Sequence, residues 1–247
     1  MRFFDRKNEI AQLKEYIKNS KKNAQFTVVT GRRRVGKTQL ILHVTEGHPA
    51  LYFFISRKAE PLLCRDFMQE INAKLNIPII GDVVSFCALF QYLMQLSLEK
   101  NFTLIIDEFQ EFYNINTSIY SEMQKYWDLY KEKSKINLIV CGSIFSLMHK
   151  IFKDYKAPLF GRATAFMQIH PFKVSVLKEI FNELYPNYKP EDMLALFAFT
   201  GGIPKYIQLL ADNNALKFNK MLDYIIREDS PFILDGKNML IDEFGKD

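Results

Sequence analysis

With 247 residues, 48% hydrophobic and 25% charged, the chain can bury one large core or two smaller ones, and its balance is that of an ordinary globular protein rather than a disordered or fibrous one. The formal net charge of +5 is a mild bias that suits an acidic partner, well short of a basic tail. The apolar runs stop short of the ~18–20 residues of a membrane span, since the longest, Ile136 to Met148, is broken by Gly142 and Ser143.

The N-terminus carries Arg2, Asp5, Arg6 and Lys7 with no apolar block behind them, so no signal peptide is visible and a cytoplasmic protein is expected. Cys64, Cys87 and Cys141 are odd in number and set in apolar surroundings, as for reduced core residues. The histidines, His43, His48, His149 and His170, lack metal-ligand spacing. Asp5 can cap a first helix, whose apolar positions Ile10, Leu13 and Ile17 share a face.

A strand-like run, Phe26 to Thr30, then enters Gly31-Arg32-Arg33-Arg34-Val35-Gly36-Lys37-Thr38. This is the phosphate-binding pattern of a glycine, four free positions and Gly-Lys-Thr. Its glycines let consecutive N–H groups turn inward into an anion-binding nest, and the helix that follows adds its positive end. Lys37 can reach terminal phosphates, and the Thr38 hydroxyl can ligate Mg²⁺. The helix runs on through Gln39 to Val44 and is expected to end near Gly47 and Pro49.

Ala50 to Ile55 reads as a strand buried on both faces. Pro61 opens a helix with Leu63, Phe67, Ile71 and Leu75 inward; after a loop around Pro78 and Gly81, a second helix turns Phe86, Leu89, Phe90, Leu93 and Leu96 inward. Phe102 to Ile106 is the third strand and delivers Asp107-Glu108. One carboxylate can hold Mg²⁺ and the next can polarise a water for attack on a terminal phosphate. A helix marked by Met123, Trp127 and Tyr130 precedes the fourth strand, Ile136 to Cys141, which ends at Gly142-Ser143. If that strand lies between those bearing the phosphate loop and Asp107-Glu108, Ser143 faces the γ-phosphate; the same serine could also cap the next helix. Arg162 sits on the link to a fifth strand, Thr164 to Ile169, where a guanidinium could neutralise charge on a transferred phosphoryl group, within one subunit or across an interface.

Beyond Pro171 the strands stop and four helices follow, placing a P-loop core at 1–171, a small helical lid domain at 172–228 and a tail at 229–247. Alternating strands and helices argue for a parallel three-layer α/β sheet. Gly201 and Gly202 end one lid helix and Pro204 begins the next, which reads as ordinary punctuation.

Taken together these residues resemble the archaeal-type ATPase family, within the signal-transducing (STAND) and extended AAA+ P-loop ATPases. The resemblance covers nearly the whole chain. It implies an AAA+/ASCE-type P-loop NTPase with sheet order 5-1-4-3-2, which spacing alone could not give. It also implies ATP or ADP with Mg²⁺ as ligands: Phe4 and Arg6 on the adenine side, Gly31, Arg34, Val35, Gly36, Lys37, Thr38 and Gln39 around the phosphates, and Thr38 with Asp107 on the metal. Lys37, Glu108, Ser143 and Arg162 are its catalytic set; Pro204 would touch adenine or ribose, and Lys205 would sense phosphate from the lid. Family members usually continue into winged-helix and nuclease-like domains, so the chain is expected to lack these, with residues 229–247 a tail or the start of a linker to them.

The expected activity is Mg²⁺-dependent ATP hydrolysis driving a conformational switch, with self-association through Arg162 and a DNA or protein client as partner and no membrane. A second reading is a nucleotide-locked regulatory or nucleic-acid-binding module with negligible turnover. A small-molecule kinase fits poorly, since the segment Met193 to Tyr224 has only Lys205, Lys217 and Lys220 as cations.

Overall fold

The computed structural model describes residues 4–77, 81, 83–233 and 235; Pro78 of the expected loop, and the expected tail other than 229–233 and Asp235, lie outside them. Five strands, β1 (Gln25–Gly31), β2 (Ala50–Phe54), β3 (Phe102–Asp107), β4 (Ile136–Gly142) and β5 (Ala165–Ile169), form one sheet in the order β2-β3-β4-β1-β5. This is the expected 5-1-4-3-2 order, and the pairs β1–β4, β2–β3 and β3–β4 are parallel. Every residue of β3 and β4 is buried, as expected for largely apolar strands covered on both faces, and buried Asn137 donates to the Thr103 hydroxyl at 3.2 Å.

The described chain divides into two compact units. The first, Asn8–Thr30 with Lys37–Gln168, holds most of the sheet. Its helices are α1 (Lys7–Asn19, from Asn8 on), α2 (Lys37–Thr45), α3 (Glu60–Leu75), α4 (Phe86–Leu96), α5 (Phe112–Ile115), α6 (Ser118–Tyr130) and α7 (Phe145–Phe152). A 3-10 turn, Phe109–Glu111, joins β3 to α5. Inward residues at helical spacing, such as Leu63, Phe67 and Ile71 of α3, are fully or almost fully buried. The core is rich in rings: Phe53 stacks on Phe67 at 4.1 Å, and Phe109 packs against both Phe112 and Phe152 at 5.7 and 5.5 Å.

The second unit takes residues 4–7, 31–36 and the described residues of 169–235. It contains α8 (Val174–Leu184), α9 (Pro190–Thr200), α10 (Pro204–Asp212) and α11 (Phe218–Ile225). Leu177, Ile180, Phe181, Leu196, Ile207 and Leu210 form its core, and Phe4 joins them. Buried Asp192 accepts the Lys189 N–H at 2.9 Å and the Phe218 N–H at 2.7 Å, tying the starts of α9 and α11 together. Gly201 ends α9 in the left-handed region, as punctuation requires. Gly202 has a further reason: its φ is +74°, and a Cβ there would run into the Phe172 backbone, whose N–H donates to the Gly202 carbonyl at 2.7 Å.

All three cysteines are free thiols; burial pushes Cys64 up to about 12 and raises Cys87 and Cys141 as well, which keeps them protonated. Among the described residues no helix is long and apolar enough to cross a membrane.

Candidate active site

Parallel neighbours deliver side chains to the same end of a sheet, and β4 lies between β1 and β3, the condition that the reading of Ser143 required. Asp107, only 3% exposed, ends β3. Its Oδ2 accepts the Thr38 hydroxyl at 2.7 Å and the Tyr52 hydroxyl at 2.8 Å. Its Oδ1 accepts the Cys141 thiol at 2.8 Å and the Glu108 N–H at 2.9 Å. Burial, then the Asp107 charge, raise both Tyr52 and Cys141, so each remains a protonated donor to the carboxylate. The Lys37 ammonium is near enough to pull the Cys141 thiol the other way, without prevailing.

Glu108 has a different setting. Its backbone turns into the left-handed region at φ +53°, which ends the strand alternation after Asp107. The carboxylate accepts the Ser143 hydroxyl at 3.0 Å and the Gln110 amide, both on Oε2. Gln110 is 1% exposed, and its Oε1 is buried with no hydrogen-bond partner. A Cβ at position 142 would collide with that amide and with the Met148 sulfur, so the glycine before Ser143 is what lets Gln110 reach Glu108. Ser143 does not cap α7: Ile144 stands at the cap, with no side-chain hydrogen bond.

On the loop itself, Arg34 and Gly36 both have positive φ, +67° and +92°, separated by Val35. Such alternation turns successive N–H groups to one side. Arg6, 5% exposed, donates to the His170 carbonyl at 2.6 Å and to the Val35 carbonyl at 3.4 Å, with its guanidinium 5.0 Å from the centre of the Phe172 ring. Arg34 forms an ion pair with buried Asp235 and lies 5.8 Å from the Tyr206 ring centre. Pro204 begins α10 and is half-buried, Lys205 is exposed, and Gln39 is exposed on α2. Arg162 is not brought to the carboxylates: its guanidinium is held by Asp128 of α6 at 3.0 and 3.2 Å and by the Phe160 carbonyl at 2.8 Å.

The donor set fits Mg²⁺ and a phosphate chain. A hydroxyl and a buried carboxylate in mutual contact are hard oxygen ligands of the kind that bind Mg²⁺ together with waters and substrate phosphates. Lys37, at the first residue of α2, offers the positive charge that phosphates require. Sequence reasoning missed Tyr52, the Cys141 thiol as a donor, and the partners Asp128 and Asp235. Tyr52 sits in an apolar run that gives no hint of its polar tip; only the β2–β3 register, which places Phe54 beside Asp107 and Tyr52 beside Ile105, brings that strand to the carboxylate.

The family described as an ATPase domain predominantly from Archaea matches residues 3–210. The chain belongs to that family. Protein MJECL04 of Methanocaldococcus jannaschii is 31% identical over 206 residues, which is 83% of this chain and 43% of that protein. The chain therefore spans less than half the length of that curated relative. Among solved structures, the Walker-type ATPase PABY2304 of Pyrococcus abyssi is similar with a TM-score of 0.70 at 20% identity, over 97% of this chain and 74% of the other. The ORC2 protein of Aeropyrum pernix, solved as ADPNP–ADP complexes, is similar with a TM-score of 0.62 at 15% identity, over 98% and 69%. At these identities the likeness is one of fold, and the fold of this ATPase domain is the P-loop three-layer sheet read from the sequence.

Proposed function

We propose that this ATPase domain binds ATP with Mg²⁺ and hydrolyses it, and that turnover changes the conformation of the helical segment at 172–228, which acts as a lid on a core at 1–171. The observation that carries the reading is the contrast between two adjacent carboxylates. Asp107 accepts four donors, the Thr38 hydroxyl among them, whereas Glu108 has a backbone bend of its own and two donors on one oxygen. Thr38, and Asp107 through the ion's water shell, would hold Mg²⁺, which would supply charge neutralisation at the phosphates. Lys37 binds the terminal phosphates, Glu108 takes a proton from water, and Ser143 reports to Glu108 what occupies its side of the sheet. Gly31, Arg34, Val35, Gly36 and Gln39 surround the phosphates, while Phe4, Arg6, Pro204 and Lys205 serve the base and sugar. Arg162 acts on phosphate, in its own chain or in another copy, only after giving up Asp128.

The test is phosphate release by purified protein with Mg²⁺ and ATP. Glu108→Gln should lower the rate about 10²–10⁴-fold while retaining ATP binding; equal rates in the two proteins would overturn the reading. The hydrogen bonds from Ser143 and Gln110 favour one second reading, a slowly cycling regulator with a DNA or protein client, because they hold the base occupied. ADP retained through purification, with a slow single turnover, is its expected signature.

A further inference from the structure

We propose that Gln110 is a positioning residue for hydrolysis, fixing which oxygen of Glu108 takes the proton from water. The inference rests on the reading of Glu108 as the base. Ser143 and Gln110 both donate to Glu108 Oε2, and two donors use both lone-pair directions of that oxygen. Among the described residues no donor reaches Glu108 Oε1, and Glu108 is only partly buried, so Oε1 is the oxygen left for a water molecule. In the hydrolysis proposed above, the water oxygen bonds to the terminal phosphorus, the bond to ADP breaks and ADP keeps its electron pair, and the water proton goes to Oε1. A single donor would let the carboxylate turn about one hydrogen bond, and a second stops that turn. Ser143 follows β4 and Gln110 lies on the 3-10 turn after β3, so the two restraints come from separate elements.

The amide is held at a cost that packing does not explain. Its oxygen is buried and has no hydrogen-bond partner among the described residues. Turning the amide over would be worse, because that oxygen would then face the Glu108 carboxylate, an acceptor with nothing to donate. A buried acceptor without a donor is destabilising, and an unbranched apolar side chain of the same length would fill the space without that penalty. The space itself accommodates the amide: its oxygen and the Met148 sulfur stand where a Cβ on residue 142 would be, and residue 142 is glycine. The backbone that carries the amide is clamped. Phe109, fully buried, packs against Phe112, Tyr120 and Phe152, and the Glu111 N–H closes the turn onto the Glu108 carbonyl at 2.8 Å. A short, rigid turn thus brings a donor out of the core to the carboxylate two residues before it.

The test is steady-state phosphate release with Mg²⁺ and ATP, read as kcat and KM, together with the melting temperature of each variant. Gln110→Met keeps the length of the side chain and removes the donor. It should lower kcat about 10- to 100-fold with KM changed less than about 2-fold, while the melting temperature holds or rises. A packing role would instead lower the melting temperature and leave kcat unchanged. Gln110→Asn keeps the amide but falls one methylene short, and should lower kcat in the same way; it decides the question if the methionine variant does not fold. With Glu108→Gln already in place, Gln110→Met should change the residual rate less than about 2-fold, since no base is left to orient. Wild-type kcat in the Gln110 variants, or an equal fractional loss in the Glu108→Gln background, would overturn the proposal. So would a kcat above wild type, because the amide would then restrain the base, as a slowly cycling regulator requires. If Glu108→Gln itself hydrolyses as fast as wild type, the reading of Glu108 fails and this inference with it. If Glu108→Gln is slow and the Gln110 variants are not, only this inference fails.

Discussion

The two compact units bury their residues by different means. In the α/β unit, Phe53, Phe86, Phe109, Phe112 and Phe152 are all less than 2% exposed, and with Phe67, which joins Phe53 to Phe86, their rings form a continuous chain of contacts. In the helical unit Phe181 is sealed, but its ring neighbours Tyr185 and Tyr188 are only partly buried, and a single carboxylate, Asp192, secures two helix starts. A densely packed aromatic core resists deformation, whereas a small core braced by polar ties opens at lower cost. The stiff unit carries Lys37, Thr38, Asp107, Glu108 and Ser143, where distances of about 3 Å matter. The looser unit carries Pro204 and Lys205.

The largest expected effect breaks the stiff side. Phe109→Ala removes a ring that touches Phe112, Tyr120 and Phe152, and should cost about 3–5 kcal/mol in urea denaturation. Phe181→Ala should cost less, because its half-exposed neighbours can collapse into the gap; equal losses would remove the contrast. On the helical side, Asp192→Ala strands two backbone N–H groups and should lower that unit's stability by about 2–3 kcal/mol. Hydrogen exchange should show the loss confined to α9 and α11; exchange rising equally in β3 and β4 would contradict separate bracing. A finer probe is Tyr52→Phe, which takes one donor from Asp107. It should weaken Mg²⁺-dependent nucleotide binding by about 1–2 kcal/mol, leaving binding in excess chelator unchanged.

The smallest effect concerns Asp128. Burial raises its carboxyl, but Lys131 and Arg162 lower it further, so the net is a pKa below the ordinary carboxylate value. A carboxylate depressed by folding contributes stability that is present above its unfolded pKa and lost as pH falls through the folded one. Arg162→Ala should therefore flatten the acid limb of the stability curve below about pH 4. Its cost at neutral pH should be under about 1 kcal/mol, as for partly exposed pairs; a larger cost would mean that Arg162 anchors the β4–β5 link.

Much of the frame was legible because it is written locally. Largely apolar runs marked the strands, and the Gly-Lys-Thr ending marked the phosphate loop before α2. What escaped is what depends on distant neighbours. Gly142 looks like a strand terminator until Gln110 is seen to need its space, and Gly202 looks like pure punctuation until the Phe172 backbone is seen against it. The run Arg32-Arg33-Arg34 had no reading from spacing; the structure gives Arg34 an acidic neighbour, Asp235, in a stretch that reads only as a tail. Sheet order came from resemblance to a family, since nothing in strand spacing distinguishes β4 from β2 as the neighbour of β1.

Glu108 holds one more implication, in its backbone rather than its carboxylate. A residue with a side chain at φ +53° sits about 1–2 kcal/mol above the same residue in a relaxed conformation, and glycine or asparagine largely escapes that penalty. Under the role proposed for its carboxylate, heat resistance and turnover therefore pull this position in opposite directions. A directed-evolution campaign that rewards only survival at high temperature would drift toward Glu108→Asn or Glu108→Gly, and under that role would return a sturdier protein that no longer hydrolyses ATP.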